Sequence, residues 1–273
     1  MKNKHLVLAG DGRQKELFAL LKRKEKSVQY VNGDVGIDEL KDLIAQSETI
    51  VLPTPLSRDD KFIFSDNENF KITIDELIDC LSENNVVYAG GVKPNTAKKI
   101  SEKNVKFTDC MKEESFVTYN AYLTAQGTLR ILLENTSEYL PDKRILITGF
   151  GKVAKAVAQL LCSLGCDVYV AARKKLQRTE AELSLCKPIC IDDINSTIYL
   201  FDFIINTVPA KIFSKYDISC MKDGAVYIEL ASAPFGAEYT DFEEHNKNFI
   251  LGSALPGKFC EKASAKAIFN EIK

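Results

Sequence analysis

The sequence predicts an α/β protein in which two doubly wound parallel-sheet domains are joined by a long helix. Short apolar runs alternate with amphipathic stretches along the 273 residues, a pattern typical of parallel strands covered by helices. A chain of this length is also long enough for two domains. One long helical pattern interrupts the alternation. We therefore expect an N-terminal domain over residues 1–112, a connecting helix over 113–140 and a second domain over 141–273.

The N-terminal domain is expected to contain five strands with helices between them. The predicted strands are His5–Leu8, Val28–Val31, Thr49–Leu52, Val86–Ala89 and Val105–Phe107. The predicted helices are Lys15–Leu21, Asp38–Gln46, Ile74–Leu81 and Thr96–Glu102. The regular alternation of the two kinds of element favours a parallel sheet.

The connecting helix is predicted from apolar residues that recur at spacings of three and four between Phe116 and Leu133. We expect it to run over Glu114–Glu138 and to end before Pro141. Gly127 interrupts it, and a glycine within a helix costs about 1 kcal/mol relative to alanine. Close packing of Gly127 against another backbone is the expected compensation.

The second domain resumes the alternation with six predicted strands. These are Ile145–Thr148, Val168–Ala171, Ile189–Ile191, Phe203–Asn206, Val226–Glu229 and Phe249–Gly252. The clearest helix of the chain, Val153–Leu164, follows the first of them. A terminal helix over Ala263–Ile272 is expected to complete this domain.

Charge and composition exclude several classes of function. The formal net charge of -2 gives no footprint for nucleic-acid binding. The apolar run over residues 6–9 is too short for a signal-peptide core, and no run approaches the roughly 18 apolar residues of a membrane span, so we expect a cytoplasmic protein that spans no membrane. None of the eight cysteines forms a C-x-x-C pair and only His5 and His245 are available as imidazole ligands, so we expect reduced, buried thiols and no metal.

A glycine pattern opens the helix of the second domain. The segment Gly149–Ala154 reads G-x-G-x-x-A between a predicted strand and a predicted helix. Gly149 permits the tight turn, Gly151 lets a pyrophosphate approach the backbone, and Ala154 allows close packing of helix and strand. This predicts a Rossmann-type dinucleotide-binding domain, with an empty nucleotide-like turn as the alternative. The predicted cofactor contacts here are Gly149, Phe150, Gly151, Lys152 and Val153.

The end of the next strand indicates which dinucleotide is bound. NAD sites usually carry an acid there, whereas this strand ends in Ala172-Arg173-Lys174, within a basic cluster that extends to Arg178. An arginine suits a 2′-phosphate, so NADP is favoured over NAD, and a solvated basic loop is the alternative.

Further candidate residues follow other strands, at the edge where α/β sheets bind ligands. In the second domain the predicted cofactor contacts are Asn206, Thr207, Val208, Pro209 and Ala231, and Ser232 is assigned to the substrate. Arg13, Thr54 and Lys258 are also substrate candidates. We expect Arg13 and Lys258 to come from different domains, so that domain closure would bring both onto one anionic ligand. Alternatively, Arg13 pairs with an acid such as Glu16. No histidine–carboxylate pair identifies a catalytic base.

These segments together resemble the family of the dipicolinate synthase A subunit, the large, dinucleotide-binding subunit of that enzyme, over nearly the whole chain. The resemblance is carried by Ala9–Gln14, Leu52-Pro53, Asn120 with Thr124–Gly127, Thr148–Ala154, Glu229–Ser232 and Ala254–Lys258. The family pattern has glutamate where Gln126 stands and often aspartate where Glu229 stands, so Gln126 removes a possible acid.

The resemblance implies NADP-linked oxidation of a dihydrodipicolinate-type heterocycle to pyridine-2,6-dicarboxylate during sporulation. It also implies a small dicarboxylate ligand and, as a partner, the smaller, flavoprotein-like subunit of dipicolinate synthase. Asn120 joins the substrate residues on this ground. A shikimate-dehydrogenase-like or 2-hydroxyacid-dehydrogenase-like NADP enzyme and a non-enzymatic dinucleotide-binding protein remain alternatives. Whether the chain forms a homo-oligomer stays open.

Overall fold

The computed structural model describes residues 3–25 and 27–272. The chain divides into two compact units, one formed by residues 1–120 with 256–273 and the other by residues 121–255. Each unit contains a parallel sheet with helices between its strands. The predicted fold, two doubly wound α/β sheets, is confirmed.

The first unit contains a five-stranded sheet in its described residues. Its strands are β1 (Asn3–Leu8), β2 (Val28–Val31), β3 (Ser47–Val51), β4 (Val86–Ala89) and β5 (Lys106–Asp109). The connecting helices are α1 (Gly12–Lys24), α2 (Ile37–Ala45), α3 (Ile74–Cys80) and α4 (Pro94–Glu102). The order β2-β1-β3-β4-β5 is that of a flavodoxin-like sheet, and fully buried residues such as Leu6, Ile50 and Val87 form its core.

The long helix α5 (Glu114–Glu134) begins in the first unit and continues into the second. It ends one turn earlier than predicted. The amide of Glu138 donates to Thr136 Oγ1 at 3.1 Å, and a short 3₁₀ turn, Leu140–Asp142, leads into the next strand. Local hydrogen bonding by a threonine side chain therefore competes with the last helical turn.

The second unit contains a six-stranded sheet. Its strands are β6 (Arg144–Thr148), β7 (Asp167–Ala172), β8 (Lys187–Cys190), β9 (Phe203–Asn206), β10 (Val226–Glu229) and β11 (Asn248–Leu251). Its helices are α6 (Lys152–Ser163), α7 (Lys175–Leu183), α8 (Lys215–Ser219) and α9 (Tyr239–Glu244). The order β11-β10-β9-β6-β7-β8 is the dinucleotide-binding arrangement, with the topological switch point between β6 and β9.

The last helices correct the predicted domain boundary. A short helix, α10 (Leu255–Phe259), precedes the terminal helix α11 (Glu261–Glu271). Ala265 and Ile268 of α11 are buried in one apolar cluster with Leu17 and Leu21 of α1, so the terminal helix belongs to the first unit. The expected placement of this helix in the second domain is therefore wrong, because long-range packing on α1 determines where it lies.

Within the described ranges, no helix combines the length and the apolar character needed to cross a membrane.

Candidate functional site

The turn after β6 has the conformation that the glycine pattern predicts. Gly149 has a φ of +79°, in the left-handed region that favours glycine. Its amide donates to the carbonyl oxygen of Ala171 at 2.8 Å, which ties the turn to strand β7. A Cβ atom on Gly149 would lie 2.8 Å from Val208 Cγ2, in the loop after β9. Backbone conformation and close packing therefore both require glycine here.

Gly151 is the N-cap of α6 and faces open space. A Cβ atom at this position would meet no heavy atom within 4 Å, and glycine brings no side chain to cap the helix. The positive end of the α6 dipole therefore fits a dinucleotide pyrophosphate. Among the neighbouring residues, Ala154 and Phe150 are buried, Val153 is half-buried and Lys152 is exposed.

A cavity of about 590 Å³ lies beside this turn, within the usual size range of small-molecule sites. Parts of the fingerprint turn, the end of β7, the segment after β8 and the loop after β9 line it. The lining residues are Gly149, Ala172, Arg173, Lys174, Gln177, Ile191, Asp192, Ile194, Asn195, Val208, Ala210, Lys211, Ile212 and Asp217. Five of the predicted cofactor residues, from three separate segments of the sequence, thus meet at one cavity.

The basic end of β7 is fixed by an arginine whose role the sequence did not reveal. Arg178 on α7 donates through Nη1 to the carbonyl oxygens of Ala172 at 2.8 Å and of Arg173 at 2.7 Å. Its guanidinium is therefore engaged with the backbone. Arg173 and Lys174 are exposed at the cavity, as is Lys211, whose ammonium group is paired with Glu238.

Two carboxylates that no sequence motif indicated also line this cavity. Asp217 caps α8 by accepting from the backbone amide and the hydroxyl of Ser214 at 2.8 and 2.6 Å. Asp192 is exposed and contacts Cys190 Sγ at 3.8 Å. A carboxylate near the ribose favours the 2′-hydroxyl of NAD. The cavity therefore carries charged groups of both signs, Asp192 on one side of the balance and Arg173 and Lys174 on the other.

Asn206 shapes the loop after β9. Its Oδ1 accepts from Thr148 Oγ1 at 2.6 Å and from the amide of Val208 at 3.1 Å. Its Nδ2 donates to the carbonyl oxygen of Val208 at 3.0 Å and to Glu229 Oε1 at 2.7 Å. These four bonds use the whole capacity of the side-chain amide. In this arrangement Asn206 does not offer the free amide that direct contact with a cofactor would need.

The remaining predicted residues of this unit follow β9 or β10, which are neighbours in the sheet. Thr207 Oγ1 donates to the carbonyl oxygen of Thr148 at 2.7 Å, which holds the loop against β6. Ala231 is half-buried, whereas Pro209 and Ser232 are exposed. All four therefore lie at the carboxyl edge of the sheet, where the prediction put them.

In the first unit, Arg13 is buried and already paired. Only 4% of its surface is exposed, and it forms a two-pronged ion pair with Asp11, with Nε–Oδ1 at 2.8 Å and Nη2–Oδ2 at 2.7 Å. A Cβ atom on Gly257 would lie 2.6 Å from Asp11 Oδ2 and 2.7 Å from Arg13 Nε, so the backbone before Lys258 packs directly on this pair. Glu16, the partner proposed from the sequence, is not the one observed.

The expected assignment of Arg13 and Lys258 to different domains is therefore wrong. Both lie in the first unit, because the chain returns to it after residue 255. The side chain of Lys258 is exposed. Domain closure is not needed to bring these two segments together, since Gly257 already contacts the Asp11–Arg13 pair.

Thr54 and Asn120 also lie in the first unit. Thr54 is buried, and a Cβ atom on Gly90 would collide with its side chain. Asn120 is half-buried on α5.

Cysteines and histidines form no metal site within the part of the chain that the structure describes. All eight cysteines are free thiols, and half of them are buried. His5 lies in β1, where burial lowers the pKa of its imidazole, and His245 follows α9 before the start of β11. Neither histidine is at the carboxyl edge of its sheet.

Comparison with known proteins agrees with this division of the chain. Residues 4–111 match the family of the N-terminal domain of the dipicolinate synthase A subunit. Residues 117–238 match the NAD-binding domain of D-isomer-specific 2-hydroxyacid dehydrogenases. The dipicolinate synthase A subunit of Bacillus subtilis is 22% identical over an alignment that covers 97% of this chain and 93% of that protein. The chain resembles the dipicolinate synthase A subunit along its whole length. The resemblance predicted from the sequence is thus confirmed.

Solved structures show the same fold. The crystal structure of the dipicolinate synthase A subunit from Bacillus halodurans has a TM-score of 0.87 and 23% identity, covering 99% of this chain and 97% of that one. A transhydrogenase from Sinorhizobium meliloti has a TM-score of 0.67 and 13% identity, covering 97% and 83%. With its dehydrogenase-type NAD-binding domain, the chain is a dinucleotide-dependent oxidoreductase.

Proposed function

We propose that this chain is the A subunit of a dipicolinate synthase and oxidises a dihydrodipicolinate-type heterocycle to pyridine-2,6-dicarboxylate in the cytoplasm during sporulation. The observation that carries the proposal is the resemblance to the dipicolinate synthase A subunit, which spans both units rather than the common dinucleotide-binding half alone. NADP is the proposed hydride acceptor. The proposed partner is the smaller, flavoprotein-like subunit of dipicolinate synthase.

The reaction removes one hydride and one proton from the ring. A nicotinamide cofactor accepts the hydride, the proton passes to solvent or to a base, and the product gains aromaticity. The cofactor would be held by the glycine turn at Gly149–Gly151, by the positive end of α6 and by Arg173. These features supply a phosphate cradle for the pyrophosphate and a cation for the 2′-phosphate, and NADP binding requires both.

The substrate carries two carboxylates, each of which needs donors once water is excluded. Because Arg13 is already paired with Asp11, the proposed anchor in the first unit is the exposed Lys258, with hydroxyl or amide donors from Thr54 and Asn120.

A 2-hydroxyacid dehydrogenase reaction has less support. Oxidation of an alcohol requires a base to take the hydroxyl proton, a role that histidine fills most often in enzymes. The two histidines, His5 and His245, lie in β1 and before β11. Neither is placed to serve a ligand at the carboxyl edge.

The test is turnover of dihydrodipicolinate by the purified chain, alone and with the flavoprotein-like partner, followed both by NADPH absorbance and by chromatography of the product. We expect equal amounts of NADPH and pyridine-2,6-dicarboxylate. Product formed without NADPH in the complex would make this chain a non-enzymatic dinucleotide-binding protein. Turnover of 2-hydroxyacids but not of dihydrodipicolinate would refute the proposed substrate.

A further inference from the structure

A buried carboxylate lies beneath the cofactor edge of the second unit. Glu229, the last residue of β10, has no exposed surface. Its Oε1 accepts from Asn206 Nδ2 at 2.7 Å and from the amide of Ala231 at 3.0 Å. Its Oε2 accepts from the amide of Gly236 at 2.8 Å and from the hydroxyl of Tyr227 at 3.1 Å. Four donors from four positions of the chain therefore converge on one side chain.

These bonds connect Glu229 to the wall of the cofactor cavity. Glu229 orients the amide of Asn206, and Asn206 holds both the amide and the carbonyl group of Val208. Val208 lines the cavity and packs against the fingerprint turn at Gly149. The distance between this wall and the glycine turn thus depends on a buried group that does not line the cavity itself.

We propose that Glu229 is a positioning residue of the dinucleotide site, acting through Asn206 to hold Val208 at the width that the cofactor requires. The inference rests on the proposed dinucleotide-dependent function and adds a residue to it. Each carboxylate oxygen accepts two donors, and one donor of each pair is a backbone amide that cannot reverse its direction. Each of the two carboxylate oxygens is therefore matched to hydrogen-bond donors that an amide nitrogen could not accept as partners.

Glu229→Gln tests this match at constant volume. Whichever way the new amide is turned, its NH₂ group faces a backbone N–H, either that of Ala231 or that of Gly236. The hydrogen bonds around residue 229 must then rearrange. Cofactor binding has to restore the position of the cavity wall, and the free energy that this requires lowers the affinity for the cofactor. We expect the Kd for NADP to rise about tenfold or more, as for the loss of a buried hydrogen-bonded acceptor.

A matched control lies in the first unit. Asp109 is also buried, and its two oxygens accept from the backbone amides of Gly91 at 2.9 Å, Val92 at 3.1 Å and Met111 at 3.0 Å. Asp109→Asn therefore creates the same kind of mismatch away from the dinucleotide-binding unit. A role in stability alone predicts that both variants lower the melting temperature and leave NADP affinity unchanged.

The experiment is isothermal calorimetry of NADP binding to the full-length variants, well below their melting temperatures. Weaker binding by Glu229→Gln, with wild-type affinity in Asp109→Asn, supports the proposal. Wild-type affinity in both overturns it. If Glu229→Gln does not fold, Asn206→Ala decides, because it breaks the link to Val208 and leaves three donors on Glu229; unchanged affinity there also overturns the proposal. Absence of dinucleotide binding by the wild-type protein would refute the proposed function itself, and with it the role of Glu229.

Discussion

Replacing Arg173 by alanine should remove most of the preference for NADP over NAD. Arg173 is exposed at the cavity beside the glycine turn, and Arg178, the other guanidinium of the segment, is occupied by two backbone carbonyl groups. Arg173 is therefore the arginine available for a bidentate contact with a 2′-phosphate. NAD has no such phosphate, so its affinity should change little.

The magnitude follows from the nature of the contact. A hydrogen bond to a charged group contributes about 1.5–3 kcal/mol, which corresponds to a loss of roughly 10- to 150-fold in NADP affinity. The lower end is expected here, because Arg173 is exposed and Lys174 remains beside the phosphate. Asp192 acts in the opposite direction, since its carboxylate repels a phosphate. Asp192→Asn should therefore strengthen NADP binding by a few fold.

Calorimetric titration of both cofactors measures the effect directly. Lys175→Ala is the matched control, because Lys175 is an exposed cation two residues along the chain that does not line the cavity. The reasoning fails if the wild-type protein binds NAD and NADP equally well. It also fails if Lys175→Ala weakens NADP binding as much as Arg173→Ala does.

Three further predictions concern other parts of the chain. Gly151→Val should leave the fold intact, since there is open space at this position, and should abolish dinucleotide binding in calorimetry; retained affinity would contradict the pyrophosphate site. Arg13→Ala should destabilise the protein by about 3 kcal/mol in urea unfolding, as expected for breaking a buried ion pair. Lys258→Ala should instead raise the Michaelis constant for the dicarboxylate with little change in stability. A stable Arg13→Ala protein with altered kinetics would reverse these assignments. Burial raises the pKa of Cys110 to about 12, so iodoacetamide at pH 8 should leave this thiol unlabelled in peptide mass spectrometry of the folded protein.

The central elements of the fold were predictable because their sequence patterns are local and continuous. Strands Phe203–Asn206 and Val226–Glu229 were predicted with the observed bounds, since each is an apolar run that is buried on both faces. Helix Lys175–Leu183 was not predicted as a helix, because it begins within the basic cluster and buries only Ala181. Helix Lys215–Ser219 is a single capped turn, too short for a periodic pattern.

The dinucleotide site was more predictable than the substrate site for a related reason. The glycine turn and the end of β7 are defined by short segments whose positions follow from the βαβ unit alone. The acids at the cavity, Asp192 and Asp217, come from segments whose approach depends on the folding of the loops after β8 and β9. Their position at the cavity could therefore not be deduced from the spacing of residues in the sequence.

Arg13 follows a strand, as predicted, but the side chain that it binds in the structure is Asp11. The sequence places this arginine in the loop after a strand, where ligands of α/β proteins bind. The same loop, however, carries Asp11, two residues earlier, and the return of the chain at Gly257 closes over the pair. Arg13 is 4% exposed, and a substrate carboxylate beside it would place a second anion next to Asp11 in the same desolvated space. The exposed ammonium group of Lys258 can neutralise a ligand without breaking an existing pair, so charge recognition in the first unit is better assigned to it.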